Sequence, residues 1–281
     1  MNNLITASIV LFHDDVSEIK KSIKTILDSD ANLKLYLIDN SSVSHFSIFG
    51  KINTRIEYIH NKRNVGFGVG HNIALKKSIE CGAKYHFIIN PDVYFEEDVL
   101  VAMIEFMEAN EEVGMLMPKI LNGDGSVQFL PKLLPKPFDV IKRKLKWPNL
   151  FYKKFIECYE MRTMSNDIIF TTPVLSGCFS LLRMDSIKEV GLYDEKFFMY
   201  FEDWDLSRRM IRKYQTVYYP LVSIYHGYDS GASKNIFLFI TFLKSFFIYF
   251  NKWGWFFDSD RRKWNKYVKS QLALVKVNKC E

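Results

Sequence analysis

The stretch at residues 198–205, Phe-Met-Tyr-Phe-Glu-Asp-Trp-Asp, places three carboxylates within four positions, directly after bulky apolar residues. Apolar residues follow at helical spacing, so Glu202, Asp203 and Asp205 are expected in the first turn of a helix. Acidic residues are common in a first helical turn for structural reasons alone. The preceding aromatic side chains lower the local dielectric, however, and this raises the pKa of a carboxylate. The stretch is therefore a candidate site for a general base.

The pattern of apolar residues alternates between strand-like and helix-like segments along most of the chain. This alternation predicts an α/β fold with a mainly parallel central sheet flanked by helices, in which ligands bind beyond the carboxyl ends of the strands. Strands are expected at 4–12, 35–38, 56–59, 85–89, 113–117, 168–172 and 176–182, and helices at 16–27, 72–80, 95–108 and from 185.

Two acidic residues are expected at strand ends. Asp39 ends the second strand, where its carboxylate can accept the N3–H of uracil or thymine, a donor that cytosine lacks. An Asp at such a position is also a common turn residue. Asp92 ends the turn Asn90-Pro91-Asp92, which can direct it toward a divalent cation that bridges phosphates, as Mg²⁺ or Mn²⁺ does.

Three glycines, Gly66, Gly68 and Gly70, lie in the stretch from Asn64 to Asn72. Glycines allow the backbone to approach a ligand closely before a helix begins. The spacing is not Gly-x-Gly-x-x-Gly, and no Gly-Lys-Ser/Thr follows, so neither a dinucleotide site nor a P-loop is predicted. A tight structural turn is the alternative interpretation.

Composition favours one large domain with an appendage, because the chain has 281 residues and 48% apolar content. No signal-peptide pattern is found at the N-terminus, so a cytoplasmic chain starting near Met1 is expected. The four cysteines show no metal-binding spacing and are expected to be reduced. Residues 235–281 carry nine Lys/Arg and three Asp/Glu, which accounts for the whole net charge of +6.

Two segments interrupt the α/β pattern. Residues 131–155 contain four prolines and eight Lys/Arg against one Asp, and are expected to form a mobile basic loop. Residues 236–257 are rich in aromatics but carry Lys244, Asn251 and Lys252, so their uninterrupted apolar part is too short for a confident membrane span of ~20 residues. An amphipathic segment at the membrane surface is expected, with two tryptophans at headgroup depth and five basic residues facing anionic lipid: Trp253, Trp255, Arg261, Arg262, Lys263, Lys266 and Lys269.

Two other interpretations of the tail remain open at this stage. It can form a pair of helices packed on the α/β domain, or on a second subunit in a homodimer. Nucleic acid is not an expected partner, because no recognised binding module accompanies the basic and aromatic residues.

The order and spacing of these motifs closely resemble family 2 glycosyltransferases of the GT-A fold. The resemblance rests on Asp39, the Asn64–Phe67 stretch, Asn90-Pro91-Asp92, Ser176-Gly177 and the 191–205 segment, and it extends over residues 4–257. Within the family the chain is most similar to bacterial rhamnosyltransferases of O-antigen and cell-wall polysaccharide assembly. The implied architecture is a Rossmann-like GT-A domain at 1–233 and a helical, membrane-proximal extension at 234–281.

The resemblance implies a set of site residues. Asp203 matches the catalytic base, with Glu202 beside it, and Asp92 matches the metal-binding Asp of the family's Asp-x-Asp motif. The full set comprises catalytic Asp203 and Glu202; donor-binding Asp39, Asn64, Gly66, Phe67, Asn90 and Asp92; acceptor-binding Gly177 and Trp204; and metal-binding Asp92 and His226.

Three positions depart from the family pattern. Asn90 replaces the first acid of Asp-x-Asp, which removes one charge from the metal site, so that diphosphate oxygens would complete it. His13-Asp14 replaces the Tyr-Asn that is common after the first strand. His226 is followed by Gly-Tyr-Asp-Ser instead of a glycine cluster, and a buried structural histidine is the alternative interpretation of this residue.

The activity implied by the resemblance is inverting, Mg²⁺- or Mn²⁺-dependent sugar transfer. L-Rhamnose would move from dTDP-rhamnose to a hydroxyl of a lipid-diphosphate-linked saccharide in O-antigen or lipopolysaccharide biosynthesis, at the inner face of the cell membrane. Two alternatives remain: transfer from a UDP-hexose, and a catalytically silent scaffold that only binds a nucleotide sugar. The paired Glu202 and Asp203 favour an enzyme, because a binding module needs no base.

Overall fold

The structure is a computed structural model that describes residues 4–145, 149–162, 164, 167–227 and 236–277. Within these residues nine strands form one sheet in the order β3-β2-β1-β4-β8-β6-β9-β5, with β7 paired to β9. The strands are β1 Ile5–Leu11, β2 Leu33–Asp39, β3 Ile56–His60, β4 Tyr85–Ile89, β5 Val93–Tyr94, β6 Val113–Leu121, β7 Phe170–Thr171, β8 Phe179–Arg183 and β9 Gln215–His226.

The sheet is parallel from β3 to β4, as the sequence predicts, and mixed beyond that point. Strand β8 enters antiparallel between β4 and β6, while β6 and β9 pair in parallel. Because β8 runs opposite to β4, its start lies beside the end of β4, with Ile89 paired to Phe179. The backbone N–H of Asn90 donates to the Cys178 carbonyl at 2.8 Å. Residues far apart in sequence therefore meet at one edge of the sheet.

Helices flank the sheet on both faces, and apolar strand residues such as Ile9, Leu37 and Phe87 are fully buried beneath them. Helix α2 begins at Phe67, five residues before the predicted start at Asn72. The described helices are α1 Val16–Asp28, α2 Phe67–Glu80, α3 Val99–Ala109, α4 Pro137–Leu145, α5 Asn149–Tyr159, α6 Met184–Val190, α7 Glu202–Ile211, α8 Ile236–Trp253 and α9 Ser259–Val277, with a 3₁₀ helix at Ser47–Lys51.

The segment 131–155, predicted to be a loop, contains α4 and most of α5. Pro137 is the first residue of α4, where its fixed φ and missing N–H are compatible with a helix. Val140 is buried on one side of α4. Proline therefore marks the start of a helix here and does not prevent helix formation. The predicted domain boundary at residues 233 and 234 lies outside the described residues.

The C-terminal helices pack on the α/β domain, which is one of the alternatives left open by the sequence. In α8, Phe246, Tyr249 and Phe250 form a cluster with Phe197 and Phe201, a cluster that also includes Val140 of α4. In α9, the side-chain amide of Asn265 bonds both the N–H and the carbonyl of Leu134, each at 2.9 Å. The described extension is thus continuous with the rest of the fold.

Two residues expected at lipid are held within the protein. The Trp253 indole donates to Asp205 at 2.8 Å, and the Arg208 guanidinium lies 4.2 Å from the Trp253 ring centroid. Arg261 is buried and donates to the carbonyl oxygens of Pro135 and Phe256. Those parts of the membrane prediction are wrong, because sequence composition does not reveal which face of a helix is packed. Of the described helices, α8 alone has the length and apolar character to cross a membrane, and 28% of it is buried.

Candidate functional site

The chain turns sharply just before α7. Tyr200 and Phe201 have φ values of 71° and 67°, a left-handed conformation that costs about 1–3 kcal/mol at each non-glycine residue. The Phe201 ring compensates by packing against Phe242 and Tyr249 of α8, with centroid distances of 5.4 and 5.5 Å. This aromatic packing holds a strained turn that presents Glu202 and Asp203 at the start of the helix.

Asp203 is partly exposed and accepts hydrogen bonds at both carboxylate oxygens. Oδ2 accepts from the backbone N–H of Gly177 at 3.2 Å, and Oδ1 accepts from the N–H of Trp204 at 2.9 Å. Burial raises the pKa of Asp203, while the Gly177 N–H and the nearby Lys132 charge act in the opposite direction. The result is an oriented carboxylate with increased proton affinity, a property that suits a general base.

The neighbouring carboxylates have different environments. Glu202 is 5% exposed, and its Oε2 lacks a hydrogen-bond partner among the described residues. Burial, and then the charge of Asp203, raise the pKa of Glu202 well above its usual range. Asp205 is fully buried and bonded to Arg209, Trp253 and Lys252 at 2.8–2.9 Å. Asp205 therefore connects α7 to α8 through these hydrogen bonds and ion pairs. Among the described residues, Glu202 and Asp203 are not held in ion pairs of this kind.

The glycine-rich stretch forms the start of α2 directly against the turn before α7. Gly66 has φ +88°, and a Cβ there would overlap the Phe198 carbonyl oxygen, which accepts from the Phe67 N–H at 3.0 Å. Asn64 accepts from the Gly66 N–H at 2.9 Å, and Asn40 donates to the Gly66 carbonyl at 3.1 Å. At Gly66 the backbone closely approaches the backbone of Phe198. This glycine therefore has a structural role, which was the alternative interpretation of the glycine-rich stretch.

Gly177 lies between two groups of predicted site residues, the glycine-rich stretch and the start of α7. A Cβ at this position would lie 3.1 Å from the Phe67 ring and 3.3 Å from the Asp203 Cβ. The structure therefore brings Phe67, Gly177 and Asp203 together. Trp204 packs its ring on Phe201, with centroids 4.6 Å apart, and remains partly exposed.

Asp39 is fully buried at the end of β2. Its Oδ1 accepts from the Ser41 N–H at 2.8 Å, and its Oδ2 accepts from the Tyr58 hydroxyl at 2.5 Å. Burial, followed by this hydrogen bond, raises the pKa of Tyr58 to about 12. Tyr58 and Asn40 were missed by sequence reasoning, because their contacts depend on the pairing of β2 with β3 and on the position of α2.

Asp92 and His226 meet where β5 pairs with the end of β9. The distance from Asp92 Oδ1 to His226 Nε2 is 3.5 Å, and Asn90 Nδ2 lies 3.2 Å from the same nitrogen. Gln128 donates to the His226 carbonyl at 2.9 Å, so its Oε1 is the atom 3.1 Å from His226 Nδ1. This arrangement assigns the proton to Nδ1 and directs the Nε2 lone pair toward Asn90 and Asp92.

Electrostatics at this corner favour a cation. Burial lowers the pKa of His226 to about 4, which leaves the ring neutral and able to act as a ligand. Burial and the charges of Glu18 and Asp14 raise the pKa of Asp92 to about 7. Among the described residues no three acidic, His or Cys side chains form a complete metal site. Asp92 and His226 nevertheless fit a divalent cation whose other ligands are phosphate oxygens and water.

Lys132 is a further site residue that the sequence did not indicate. It is buried, and its Nζ donates to the Leu130 carbonyl at 2.7 Å. Burial and the Arg143 charge lower the pKa of Lys132 to about 8, while Glu160 and Asp203 act in the opposite direction. Lys132 was hidden in the segment interpreted as a mobile loop. Its pairing with Val174 brings it close to the Gly177 turn.

Comparison with known proteins identifies the family. The model described as "Glycosyl transferase family 2" matches residues 8–191. Rhamnosyltransferase WbbL of Escherichia coli (strain K12) is 24% identical over 209 residues, which are 72% of this chain and 75% of that relative. N-acetylglucosaminyl-diphospho-decaprenol L-rhamnosyltransferase of Mycobacterium tuberculosis is 26% identical over 178 residues, which are 58% of this chain and 56% of that relative. The match thus spans little more than half of the mycobacterial protein.

Solved structures of low sequence identity share the fold. GalNAc-T7, solved with UDP, GalNAc and Mn²⁺, has a TM-score of 0.60 at 12% identity, over 80% of this chain and 44% of its own. PcManGT, a mannosyltransferase from Pyrobaculum calidifontis solved with GDP-Man and Mn²⁺, has a TM-score of 0.54 at 12% identity, over 80% and 57%. The fold is GT-A with flanking helices, as the family resemblance implied, and its sheet is mixed. With the family model matching well over half of its residues, the chain belongs to glycosyl transferase family 2.

Proposed function

We propose that this glycosyltransferase moves L-rhamnose from dTDP-rhamnose to a hydroxyl of a lipid-diphosphate-linked saccharide, with inversion at the anomeric carbon. The observation that carries the chemistry is Asp203, a partly exposed carboxylate of raised pKa oriented by Gly177. The choice of sugar is supported by the similarity to two rhamnosyltransferases. The lipid-linked acceptor is supported by the name of the mycobacterial relative.

The reaction is a single displacement. The acceptor oxygen attacks the anomeric carbon as the bond from that carbon to the nucleoside diphosphate breaks, and Asp203 takes the hydroxyl proton from the attacking face. A single carboxylate suffices, because the leaving diphosphate is an anion and needs no acid, unlike the alcohol that a glycoside hydrolase releases. Burial and then the charge of Asp203 raise the pKa of Glu202, and this opposes a second negative charge beside Asp203.

The donor would lie along the carboxyl ends of β1, β2 and β4. Asp39 has no exposed surface, so it would shape the pyrimidine pocket through the Ser41 N–H and the Tyr58 hydroxyl that it holds, and the Asn64–Phe67 turn would line the nucleotide pocket. A Mg²⁺ or Mn²⁺ held by Asp92 and His226, with Asn90 beside them, would balance the charge of the departing diphosphate. Both neighbours described above were solved with Mn²⁺, which supports the use of a divalent cation.

The acceptor would approach from the side of α7. Gly177 would form the floor of its pocket, since a side chain there would crowd Phe67 and Asp203. Trp204 would contribute its exposed edge. With a lipid-linked acceptor, the enzyme would act as a peripheral protein at the inner face of the cell membrane.

The first experiment identifies the donor. Thermal unfolding is measured with dTDP-rhamnose, UDP-galactose and UDP-N-acetylglucosamine, each with Mg²⁺, Mn²⁺ or EDTA. Preferential protection by dTDP-rhamnose is expected, because a ligand that binds only the folded state raises the unfolding temperature. Preferential protection by a UDP-sugar would contradict rhamnose as the transferred sugar and identify that UDP-sugar as the donor.

The second experiment tests turnover. Labelled donor is incubated with polyprenyl-diphosphate saccharides, and the lipid fraction is extracted and counted. Label in the lipid fraction, lost in Asp203→Asn, is the expected result. Protection by a donor together with no transfer to any polyprenyl acceptor would favour the silent scaffold over the enzyme.

A further inference from the structure

We propose that α4 and α8 together form a membrane-docking face, which attaches the protein to a bilayer that contains anionic lipid. Helix α4 lies in the segment that the sequence presented as a loop, so this surface could not be recognised from the tail alone. The inference deepens the proposed function by stating how the site is oriented toward its lipid-linked acceptor. It rests on that function for the acceptor, but docking itself can be measured independently.

Helix α8 has one packed face and one exposed apolar face. Phe246, Tyr249 and Phe250 are buried against the catalytic domain. The other face presents six large apolar side chains to solvent: Ile236, Phe237, Phe239, Ile240, Leu243 and Phe247. An exposed row of this size is unusual for a soluble surface and typical of an interaction site.

Helix α4 extends the same surface. Phe138, Ile141 and Leu145 lie on one side of the helix and are 60%, 43% and 60% exposed. The adjacent side of α4 is fixed to α8, because Val140 joins the buried cluster and Lys144 Nζ lies 4.0 Å from the Phe242 ring centroid. The two apolar rows therefore lie on helices that contact each other, and we call them together the α4–α8 face.

The charges around the α4–α8 face favour anionic lipid as its partner. Lys136, Lys142, Lys144 and Lys244 lie on these helices or next to them. Lys142 Nζ lies 4.8 Å from the Phe138 ring centroid and Lys144 Nζ lies 4.8 Å from that of Phe239, so both charges lie over aromatic rings of the face. The acid of α4, Asp139, accepts from the Lys136 N–H. Aromatic and aliphatic side chains surrounded by lysines are the pattern of a surface that enters the headgroup region of anionic lipid.

The α4–α8 face also borders the candidate active site. The Phe237 ring lies 6.3 Å from Phe198, and the Phe242 ring lies 5.8 Å from Tyr200, one residue before Phe201 and two before Glu202. A protein docked through this face would hold the Asp203 turn close to the bilayer surface. An acceptor sugar could then reach Asp203 while its lipid chain stays in the membrane.

The test is flotation with liposomes, using a variant of α4 and a matched control. The variant combines Phe138→Ser, Ile141→Ser and Leu145→Ser and leaves α8 intact. The control combines Ile48→Ser, Ile52→Ser and Leu221→Ser, three comparably exposed residues elsewhere. Wild type and control are expected to float with phosphatidylglycerol-containing vesicles far more than with phosphatidylcholine vesicles. The α4 variant should lose about tenfold or more of this binding, since it removes three apolar side chains from the interface.

Thermal unfolding with and without nucleotide sugar shows whether the α4 variant is folded and whether its donor site is intact. Unchanged protection together with lost flotation supports the proposal. Flotation of the α4 variant equal to that of wild type would overturn it, as would wild type that stays soluble with both vesicle types. A wild-type dimer in solution that dissociates in the α4 variant would also overturn it, and would assign the face to a subunit interface. Flotation without donor binding would refute the proposed function and leave docking intact.

Discussion

The carboxylates Asp39 and Glu202, on opposite sides of the site, differ in how their oxygens are held. On the donor side, Asp39 accepts from Ser41 and Tyr58, and Asn72 exchanges hydrogen bonds with the Tyr193 backbone. On the α7 side, Glu202 has an unpartnered carboxylate oxygen, and the turn before it contains two left-handed aromatic residues. A carboxylate with a partner at each oxygen suits a pocket that only has to hold its ligand. A buried carboxylate with an unpartnered oxygen, next to a strained turn, is typical of the place where chemistry occurs.

This difference predicts that substitutions on the two sides have separable effects. Changes at the α7 turn should remove turnover and leave donor binding in place. Changes at the Asp92 corner should weaken both. The predictions below are ordered by the size of the effect, and each uses a neighbouring residue as its control where the chain offers one.

The largest effect is expected for Asp203→Asn. The amide keeps the shape of the side chain but cannot take the acceptor proton, so turnover should fall by ~10²–10⁴-fold. Asp205→Asn is the control, because Asp205 is a fully buried structural partner of Arg209 and Trp253. It should lower the unfolding temperature but keep turnover per folded molecule. Equal loss of turnover in both variants would show that the helix start, and not the base, was disturbed.

Asp92→Ala should reduce metal-supported donor binding and activity together, by about 100-fold, because a metal ion contributes several kcal/mol to the transition state. The measurement is turnover in Mg²⁺, in Mn²⁺ and in EDTA. Wild-type activity that is the same in EDTA as with metal would contradict the metal role, and would leave cationic side chains to balance the diphosphate.

Gly66→Ala should destabilise the protein, because the residue has φ +88° and an added Cβ would overlap the Phe198 carbonyl oxygen. Gly82→Ala is the control, since Gly82 has φ +72° but open space around it. Backbone strain alone costs about 1–3 kcal/mol, so the larger loss at Gly66 measures the close contact between α2 and the α7 turn. If chemical denaturation gives the same loss in free energy of unfolding for both variants, the added Cβ at Gly66 is accommodated beside Phe198 without further cost.

The smallest effect concerns Lys132. Its positive charge lowers the pKa of Asp203, so Lys132→Met should raise that pKa. Asp203 acts as a base only when ionised, and the acid limb of the pH–rate profile should therefore move to higher pH. The pKa of Lys132 is itself lowered to about 8, so the difference should be greatest below that pH. Lys132→Arg keeps the charge and should restore the wild-type limb. If the acid limb of the pH–rate profile does not move in Lys132→Met, the role of Lys132 is structural only.

The sequence predicted the parts of the fold that depend on local patterns. The ends of β2 and β4, with Asp39 and Asp92, follow from apolar runs that stop at polar turns, and the start of α7 follows from its acidic first turn. Tyr58, Gln128 and Lys132 could not be found, because their positions depend on strand pairing between distant segments. Trp253 and Arg261 were misplaced for a related reason: an aromatic and basic composition does not state which side chains pack inward.

The most direct test of the proposed division of the site measures two quantities on one preparation of Asp203→Asn. The first is the dissociation constant of the preferred nucleotide sugar, and the second is transfer to the lipid-linked acceptor. The account predicts that donor affinity stays within about twofold of wild type while transfer falls by ~10²–10⁴-fold. Retention of more than a tenth of wild-type transfer, or a loss of donor affinity as large as the loss of transfer, would contradict it.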